Sequence, residues 1–274
     1  MRDMLKLCLV VSALLIPVTD PVSSWARESL TVNTYPSVAY INDRGEVDGP
    51  VAALIREVNR RLAVRTRFTF NPIQRMFKVL ADHEADAAYN MSYNPKRAEK
   101  WYYSKPVHRV FYSVFARKSD HFEYKSRQDL RGYVIATYGP TNMSNKVIAF
   151  AKTIPGTRVI VENRYDTAFK KLASGRYGEK GVVYAPDAVA FGVINNSSDL
   201  REQIVLAGQD QKNLYYVVFV KALVERSFVD KFNRVLMELH ASGDMAEIYR
   251  RYTGAVLAAP PSAEDMAAFP PREK

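Results

Sequence analysis

Strand-like and helix-like segments alternate along this chain from residue 29, in two successive blocks. In the first block, SLTVNTY (29–35) and TRFTFNP (66–72) contain many β-branched and aromatic residues, which is typical of strands. Between them, VAALIREVNRRLA (51–63) carries apolar residues at a spacing that predicts a helix with one buried face. This alternation predicts an α/β sheet whose strands are joined by crossover helices.

The second block repeats the alternation and is bracketed by two long apolar segments. YVIATYG (133–139) and GVVYA (181–185) predict strands, and helix-like sequence follows each of them. VFYSVFARK (110–118) and NLYYVVFVKA (213–222) are long enough to cross between two lobes. We therefore predict two lobes, the second inserted into the first, with a cleft between them that closes by hinge motion. In this prediction lobe 1 comprises residues 27–115 and 216–254, and lobe 2 comprises residues 116–215.

Both ends of the chain differ in composition from these blocks. Arg2 and Lys6 flank the start of the apolar run LKLCLVVSALLIP (5–17), and Ser24 and Ala26 match the small residues of a cleavage site. We expect residues 1–26 to be a cleavable signal peptide that directs the protein to the periplasm. Cys8, the single cysteine, lies in that segment, so the mature chain has no thiol or disulfide chemistry. The Ala/Pro-rich tail, 255–274, is predicted to be disordered.

The net charge of the chain and its lack of catalytic motifs limit the classes of function that the sequence allows. A net charge of +10 permits nucleic acids, anionic surfaces or acidic solutes as partners, and export argues against nucleic acid. The chain has no GxSxG, HExxH or GxxxxGK[ST] motif, and its four histidines are far apart without ligand spacing. No later segment is long enough to span a membrane. We therefore predict a monomeric protein that is not membrane-embedded and not an enzyme, without a metal or cofactor.

Several segments, in order, resemble the bacterial extracellular solute-binding proteins of family 3. VDGPVAALIREVNRRL (47–62) resembles the family's G-F-x-V-D-L helix, and HEADAAYNMSYNPKR (83–97) resembles its G-x-x-D-A-x-x-x-x-M-x-x-T-x-x-R element. YYSKPVHRVFYSVFARKSD (102–120) is similar to F-S-x-P-Y and the first crossing strand. SRQDLRGYVIATYGPT (126–141) is similar to x-x-D-L-x-G-x-x-V-G-V-x-x-G-T. The resemblance covers nearly all of residues 29–254.

This resemblance implies a type II periplasmic binding fold and a role in transport. The protein is expected to capture a small carboxylate-bearing or polar solute, an amino acid or a related compound, for an inner-membrane ABC permease. Two alternatives stay open. The protein could present its ligand to a membrane signalling protein, or it could be a periplasmic lyase on the same fold.

The resemblance also assigns ligand contacts to the first lobe. Arg97 matches the family's carboxylate-gripping arginine, and a guanidinium offers the fork of donors that a carboxylate accepts. The alternative for this residue is an arginine on the surface in the first turn of a helix. Asn90 and Ser92 match positions that face the ligand. Arg75 is a further candidate for a cationic contact.

Turn and aromatic residues complete the expected site. Gly139 and Thr141 match the family's Gly-x-Thr turn, where exposed N–H groups at a helix start favour an anion. Thr141 could equally be a helix N-cap. Tyr35 and Tyr40 match the aromatic wall that the family presents to its ligand, although each could instead pack beneath a loop.

One family feature is missing at the end of the strand GVVYA. Members that bind an α-amino acid usually have an acidic residue there, which neutralises the ammonium group. The aligned position is Ala185, preceded by Tyr184, while Asp187 lies two residues further on and could substitute through a bulge. Tyr184 and Asp187 are therefore retained as candidates. The missing acid weakens the expectation of an amino acid and leaves a small anionic or polar solute.

Overall fold

The computed structural model describes residues 28–36, 38–252 and 258–268. The expected signal peptide, 1–26, lies outside these ranges. Within them, no helix is both long enough and apolar enough to cross a membrane.

The strands form where the sequence alternation predicts them, with two long strands among short ones. Ten strands occur in the described residues: β1 (Ser29–Thr34), β2 (Tyr40–Ile41), β3 (Val47–Asp48), β4 (Arg65–Phe70), β5 (Ala87–Ser92), β6 (Trp101–Arg117), β7 (Val134–Tyr138), β8 (Arg158–Glu162), β9 (Gly181–Pro186) and β10 (Ile204–Val220). All of them except the β2–β3 hairpin join one mixed sheet in the order β4-β1-β5-β10-β6-β9-β7-β8.

The pairing of these strands divides the sheet into two halves. In one half β1 pairs parallel with β4 and β5, and in the other β7 pairs parallel with β8 and β9. β6 and β10, each of 17 residues, pair antiparallel along their length and connect the halves. This confirms the prediction of an α/β fold with two lobes, an inserted second lobe and two crossing strands.

The pairing also bears on where one lobe passes into the other. β6 pairs with β9 of the second half from Tyr112 to Phe115. β10 pairs with β5 of the first half from Tyr215 to Phe219. The first crossing therefore begins a few residues before position 115, while the exact lobe boundaries stay a prediction.

Helices cover the sheet and bury the apolar faces that their sequences predict. In the first long helix, Val51, Leu54, Ile55 and Val58 are fully buried, and this i, i+3, i+4, i+7 spacing is the apolar stripe of an amphipathic helix. The helices are α1 (Pro50–Arg61), α2 (Ile73–Ala81), α3 (Pro95–Ala98), α4 (Asn142–Ala151), α5 (Tyr165–Ala173), α6 (Asp187–Asn195), α7 (Ser198–Gln203), α8 (Arg226–Ser242), α9 (Asp244–Arg250) and α10 (Ala263–Ala267).

The prediction of a disordered C-terminal tail is wrong for residues 258–268. Ala259 forms a β-bridge with Arg109 of β6, and α10 follows it. Met266 is buried, and Asp265 accepts a hydrogen bond from the Lys212 ammonium at 2.8 Å. The burial of Met266 and the Asp265 hydrogen bond offset the entropy cost of ordering this segment. The Ala/Pro-rich composition of the tail gave no sign of these two interactions. Residues 255–257 and 269–274 lie outside the described ranges.

Candidate functional site

A cleft opens between the two lobes, beside the crossing strands. Its described lining comprises Tyr35, Ile73, Phe77, Asn90, Met91, Ser92 and Arg97 from lobe 1, Tyr138, Thr141, Asn142, Met143, Tyr165, Pro186 and Val189 from lobe 2, and Tyr112 and Tyr215 from the crossing strands. The space that the centres of water molecules can occupy in the cleft is about 40 Å³. A single water needs about 10–15 Å³ by the same measure, so the space holds only a few waters. The lobes are therefore close together, with a small solvent space between them.

Arg97 is the cation of this cleft. Asn94 caps α3, its Oδ1 accepting a hydrogen bond from the backbone N–H of Arg97 at 3.3 Å. The guanidinium stacks on the Phe77 ring, 4.5 Å from its centroid. Burial lowers the pKa of Arg97, yet an arginine stays charged at neutral pH. Among the described residues this guanidinium has no carboxylate or carbonyl partner, so apart from the Phe77 ring nothing offsets the desolvation of this partly buried charge.

Asn90 and Ser92 reach the cleft from β5, a strand that is buried along its whole length. Asn90 has a φ of +66°, a left-handed conformation that asparagine tolerates better than most residues. Both polar atoms of its carboxamide are buried without a hydrogen-bond partner among the described residues. Tyr35, also in the lining, donates a hydrogen bond from its hydroxyl to the backbone carbonyl of Asn90 at 3.1 Å.

Thr141 lines the cleft from the second lobe while it also caps α4. Its Oγ1 accepts a hydrogen bond from the Ser144 N–H at 3.0 Å, so the N-cap interpretation holds. Gly139 is not in the lining. A Cβ at position 139 would lie 2.7 Å from both Ser144 Oγ and Val161 Cγ1, so this glycine allows the close approach that shapes the turn.

Asn142 links the lobes across the cleft and was missed by the sequence analysis. Its Nδ2 donates to Ser92 Oγ at 3.2 Å and to the Tyr93 carbonyl at 3.3 Å. Its Oδ1 accepts from Asn94 Nδ2 at 3.5 Å. The signal that could have found it is its place directly after the turn at Thr141.

Four further tyrosines of the lining, Tyr112, Tyr138, Tyr165 and Tyr215, were also missed. Burial raises the pKa of Tyr215, and the nearby phenols of Tyr112, Tyr35 and Tyr165 raise it further. The pKa of Tyr165 is raised in the same way, first by burial and then by its phenolic neighbours. All four side chains line the same cleft, and their hydroxyls stay protonated at neutral pH, where they can donate and accept hydrogen bonds.

Two of the predicted second-lobe contacts lie elsewhere. The Tyr184 hydroxyl donates to Asp210 of β10 at 2.7 Å, and Tyr184 is buried outside the lining. Asp187 Oδ1 accepts from the Phe111 N–H at 3.2 Å and from the Ala188 N–H at 2.7 Å. At the end of β9, Pro186 is the residue that lines the cleft, whereas Ala185 packs in the core of the second lobe. The alternation of side chains along β9 decides this, and the start of α6 turns Asp187 back toward the backbone.

Tyr40 and Arg75 are also absent from the lining. Tyr40 lies in β2 and pairs with Asp48 of β3 in the hairpin outside the main sheet. Arg75 is half exposed and forms an ion pair with Glu84 at 3.4 Å. Its position near the start of α2 turns it to solvent, while Phe77 of the same helix faces the cleft.

The described residues contain no group of three or more His, Cys, Asp or Glu side chains that could hold a metal ion. The cleft can therefore bind a solute through its cation, its amides and its hydroxyls. No Asp or Glu occurs in its described lining.

Comparisons with known proteins agree with this geometry. L-cystine-binding protein TcyJ of Bacillus subtilis (strain 168) is 21% identical over 231 residues, covering 82% of each chain. In fold, the chain is similar to a mutant of ArgBP from T. maritima, with a TM-score of 0.66 and 21% identity over 82% of this chain and 95% of that one. It is also similar to a histidine kinase sensor domain, with a TM-score of 0.70 and 20% identity over 86% of this chain and 99% of that one. The family model that describes the bacterial extracellular solute-binding proteins, family 3, matches residues 29–255. The chain therefore belongs to the bacterial extracellular solute-binding proteins of family 3.

Proposed function

We propose that this protein captures a small carboxylate-bearing solute in the cleft and delivers it to an ABC transporter of the inner membrane. Its family consists of extracellular solute-binding proteins. A relative is named for L-cystine binding, and a protein of similar fold is named ArgBP, so a carboxylate of amino-acid size suits the cleft. The N-terminal apolar run supports export to the periplasm, where we propose that the protein acts as a monomer.

The observation that carries the proposal is the guanidinium of Arg97. A partly buried cation without an anionic partner costs free energy, and the described lining offers Arg97 no carboxylate. A ligand carboxylate would supply the missing charge and would accept two parallel N–H bonds from the guanidinium fork. The stacking on Phe77 holds that fork in place before the ligand arrives.

The two lobes supply the remaining contacts. Asn90 and Ser92 of lobe 1 and Thr141 of lobe 2 line the same cleft as Arg97, and the buried carboxamide of Asn90 can both donate to a solute and accept from it. The Asn142 hydrogen bonds to Ser92 and Tyr93 join the lobes. A ligand that contacts both lobes stabilises the closed form, which is the surface that a permease recognises.

The same closed form could serve a membrane signalling protein, and the fold similarity to a histidine kinase sensor domain supports this second role. Stimulation of solute uptake by a reconstituted permease would favour transport. Stimulation of a kinase would favour sensing. Binding without turnover is expected in both cases, and product formation from a bound carboxylate would instead support a lyase.

Thermal-shift screening of the purified protein against a library of carboxylic and amino acids tests the proposal. A ligand at 100 times its dissociation constant should stabilise the protein by about 2.7 kcal/mol. Arg97→Met should abolish this shift. Arg75→Met, which removes an arginine outside the cleft, is the matched control and should retain it. A ligand whose shift survives Arg97→Met would contradict the proposal.

A further inference from the structure

The charges of the cleft are unequal. Arg97 is the single charged side chain in the described lining. An α-amino acid brings an ammonium group beside its carboxylate, and a buried ammonium group needs an anionic partner to offset its desolvation. The described lining therefore offers a partner for the carboxylate of an α-amino acid but none for its ammonium group.

The acidic side chains on the elements that border the cleft are engaged elsewhere. Asp187 accepts two backbone N–H bonds at the start of α6. Glu162, at the end of β8, accepts from Lys171 at 2.8 Å and from the Tyr177 hydroxyl at 3.0 Å. Asp166 of α5 pairs with Arg164 at 2.8 Å. Glu162 and Asp166 would have to break existing ion pairs to reach an ammonium group, and Asp187, held by its backbone bonds, lies outside the described lining.

The other polar groups of the lining suit acceptor atoms on the ligand. The phenols of Tyr112, Tyr165 and Tyr215 line the cleft, and a protonated phenol donates to carboxylate, hydroxyl and carbonyl oxygens, whereas the Tyr35 hydroxyl already donates to the backbone carbonyl of Asn90. Pro186 lines the cleft at the end of β9 and offers only an apolar ring there.

We infer, on the basis of the proposed function, that the ligand is a carboxylic acid whose adjacent carbon carries a neutral oxygen group in place of an ammonium group. A 2-hydroxy acid is the simplest member of this class. Its carboxylate pairs with Arg97, and its hydroxyl exchanges hydrogen bonds with the phenols and amides of the lining. The absent acid then acts as a specificity element, because it leaves an α-ammonium group unpaired.

Matched pairs of 2-hydroxy and 2-amino acids test this inference directly. Lactate and alanine, malate and aspartate, 2-hydroxyglutarate and glutamate, and 3-phenyllactate and phenylalanine differ only at the adjacent carbon. Isothermal titration of the purified protein, freed of bound solute by unfolding and refolding, should show a hydroxy acid binding at least about tenfold tighter than its amino counterpart. Equal or tighter binding of the amino acid in the best-bound pair overturns the inference.

Arg97→Met separates this failure from failure of the proposed function. Amino-acid binding that Arg97→Met abolishes would overturn the inference and leave the proposed function standing. If no acid of either series binds in a manner that depends on Arg97, both are overturned.

Two variants test whether the missing carboxylate sets the preference. Pro186→Asp places an acid at the N-cap of α6, and Val189→Asp places one in its first turn, positions where aspartate favours the helix. Either variant, once folded as judged by circular dichroism, should shift the preference toward the amino acid by about tenfold or more. If both fold and neither shifts the ratio, the inference fails. Asp187→Asn is the control and should leave the ratio unchanged, and a selective loss of amino-acid binding in that variant also overturns the inference.

Discussion

Arg97 of lobe 1 and Arg127 of lobe 2 share one contact, with an aromatic ring, and differ in their ion pairing. Each guanidinium stacks on a phenylalanine ring, Arg97 at 4.5 Å from Phe77 and Arg127 at 4.6 Å from Phe150. Arg127 donates to Asp210 through Nε at 3.0 Å and through Nη2 at 2.9 Å. Arg97 has no carboxylate partner among the described residues. Arg127 is paired with a carboxylate of the protein, whereas the guanidinium of Arg97 stays available to a carboxylate from outside.

The surroundings of the two arginines explain what each does. Asp210 also accepts hydrogen bonds from the hydroxyls of Tyr124 and Tyr184. Burial acts to raise the pKa of Asp210, but its hydrogen bonds outweigh burial and hold that pKa below the ordinary value. The hydrogen bond to Asp210 raises the pKa of Arg127, whereas burial lowers the pKa of Arg97. Arg127 joins the 3-10 helix of residues 127–130 to β10, and Arg97 is suited to an external anion.

Asn90→Asp would supply Arg97 with an internal carboxylate. The change is nearly isosteric, and aspartate tolerates the φ of +66° at this position. The new charge competes with the ligand for Arg97 and repels the ligand carboxylate, so affinity should fall by several kcal/mol, or about 100-fold or more. Isothermal titration measures this loss, and the unliganded melting temperature confirms the fold. Unchanged affinity would show that the ligand carboxylate binds away from Asn90 and Arg97.

Asp210→Ala would leave Arg127 without its carboxylate partner. Three donors lose their acceptor, and the aspartate side chain is only 7% exposed, so the free energy of unfolding should fall by about 2–4 kcal/mol. Urea denaturation measures the change. Asp230→Ala, which breaks an exposed pair with Arg226, is the control and should cost less than about 1 kcal/mol. Equal losses in the two variants would make the Arg127 pair an ordinary surface pair.

Lowering the pH should gradually remove the stabilisation that ionised Asp210 contributes to the folded protein. The pKa of Asp210 lies below its ordinary value of 3.8 in the folded protein. Its contribution is therefore complete above pH 3.8 and is lost as the pH falls through the lower folded pKa. The stability difference between the wild type and Asp210→Asn, measured by urea denaturation, should be constant from pH 7 to pH 5 and should shrink toward pH 3. A difference that does not change down to pH 3 would show that the pair does not depress this pKa.

Asn142→Ala should have the smallest effect. The variant loses hydrogen bonds that link the lobes, each with a net contribution of about 0.5–1.5 kcal/mol. Ligand affinity should fall by about 3- to 10-fold, since the closed form is the one that binds. Asn145→Ala, on an exposed position of the same helix, should leave affinity unchanged. Equal affinity in both variants would mean that these bonds do not contribute to closure.

The periodic features of the sequence predicted the fold because they depend on local pattern. The alternation of strands and helices and the two long strands at 110–118 and 213–222 fixed two lobes and their connection. Arg97 was identified by a motif and lies in the cleft, while its role in binding a ligand stays a prediction. Arg127 lies in another quoted motif, yet its partner Asp210 is 83 residues away, and no local pattern reveals such a pair.

The missed cleft residues depend on tertiary structure. Tyr112 and Tyr215 lie on the crossing strands, whose pairing contains several register shifts. Each shift changes which side chains face the cleft, so a simple period of two does not predict them. Asn142 contributes through hydrogen bonds to residues 49 and 50 positions earlier in the sequence, and Asp187 lies outside the described lining because α6 begins at that residue.

A paired measurement on Arg97→Met and Arg127→Met tests the central claim most directly, with both the dissociation constant of the best ligand and the unliganded free energy of unfolding determined for each. Arg97→Met should lower affinity by about 2–5 kcal/mol and leave unliganded stability unchanged or slightly higher, because a buried unpaired charge is removed. Arg127→Met should lower stability by about 1–3 kcal/mol and leave affinity within about threefold of the wild type. Retained affinity in Arg97→Met, together with a loss of stability as large as that of Arg127→Met, would contradict the assignment of Arg97 to the ligand.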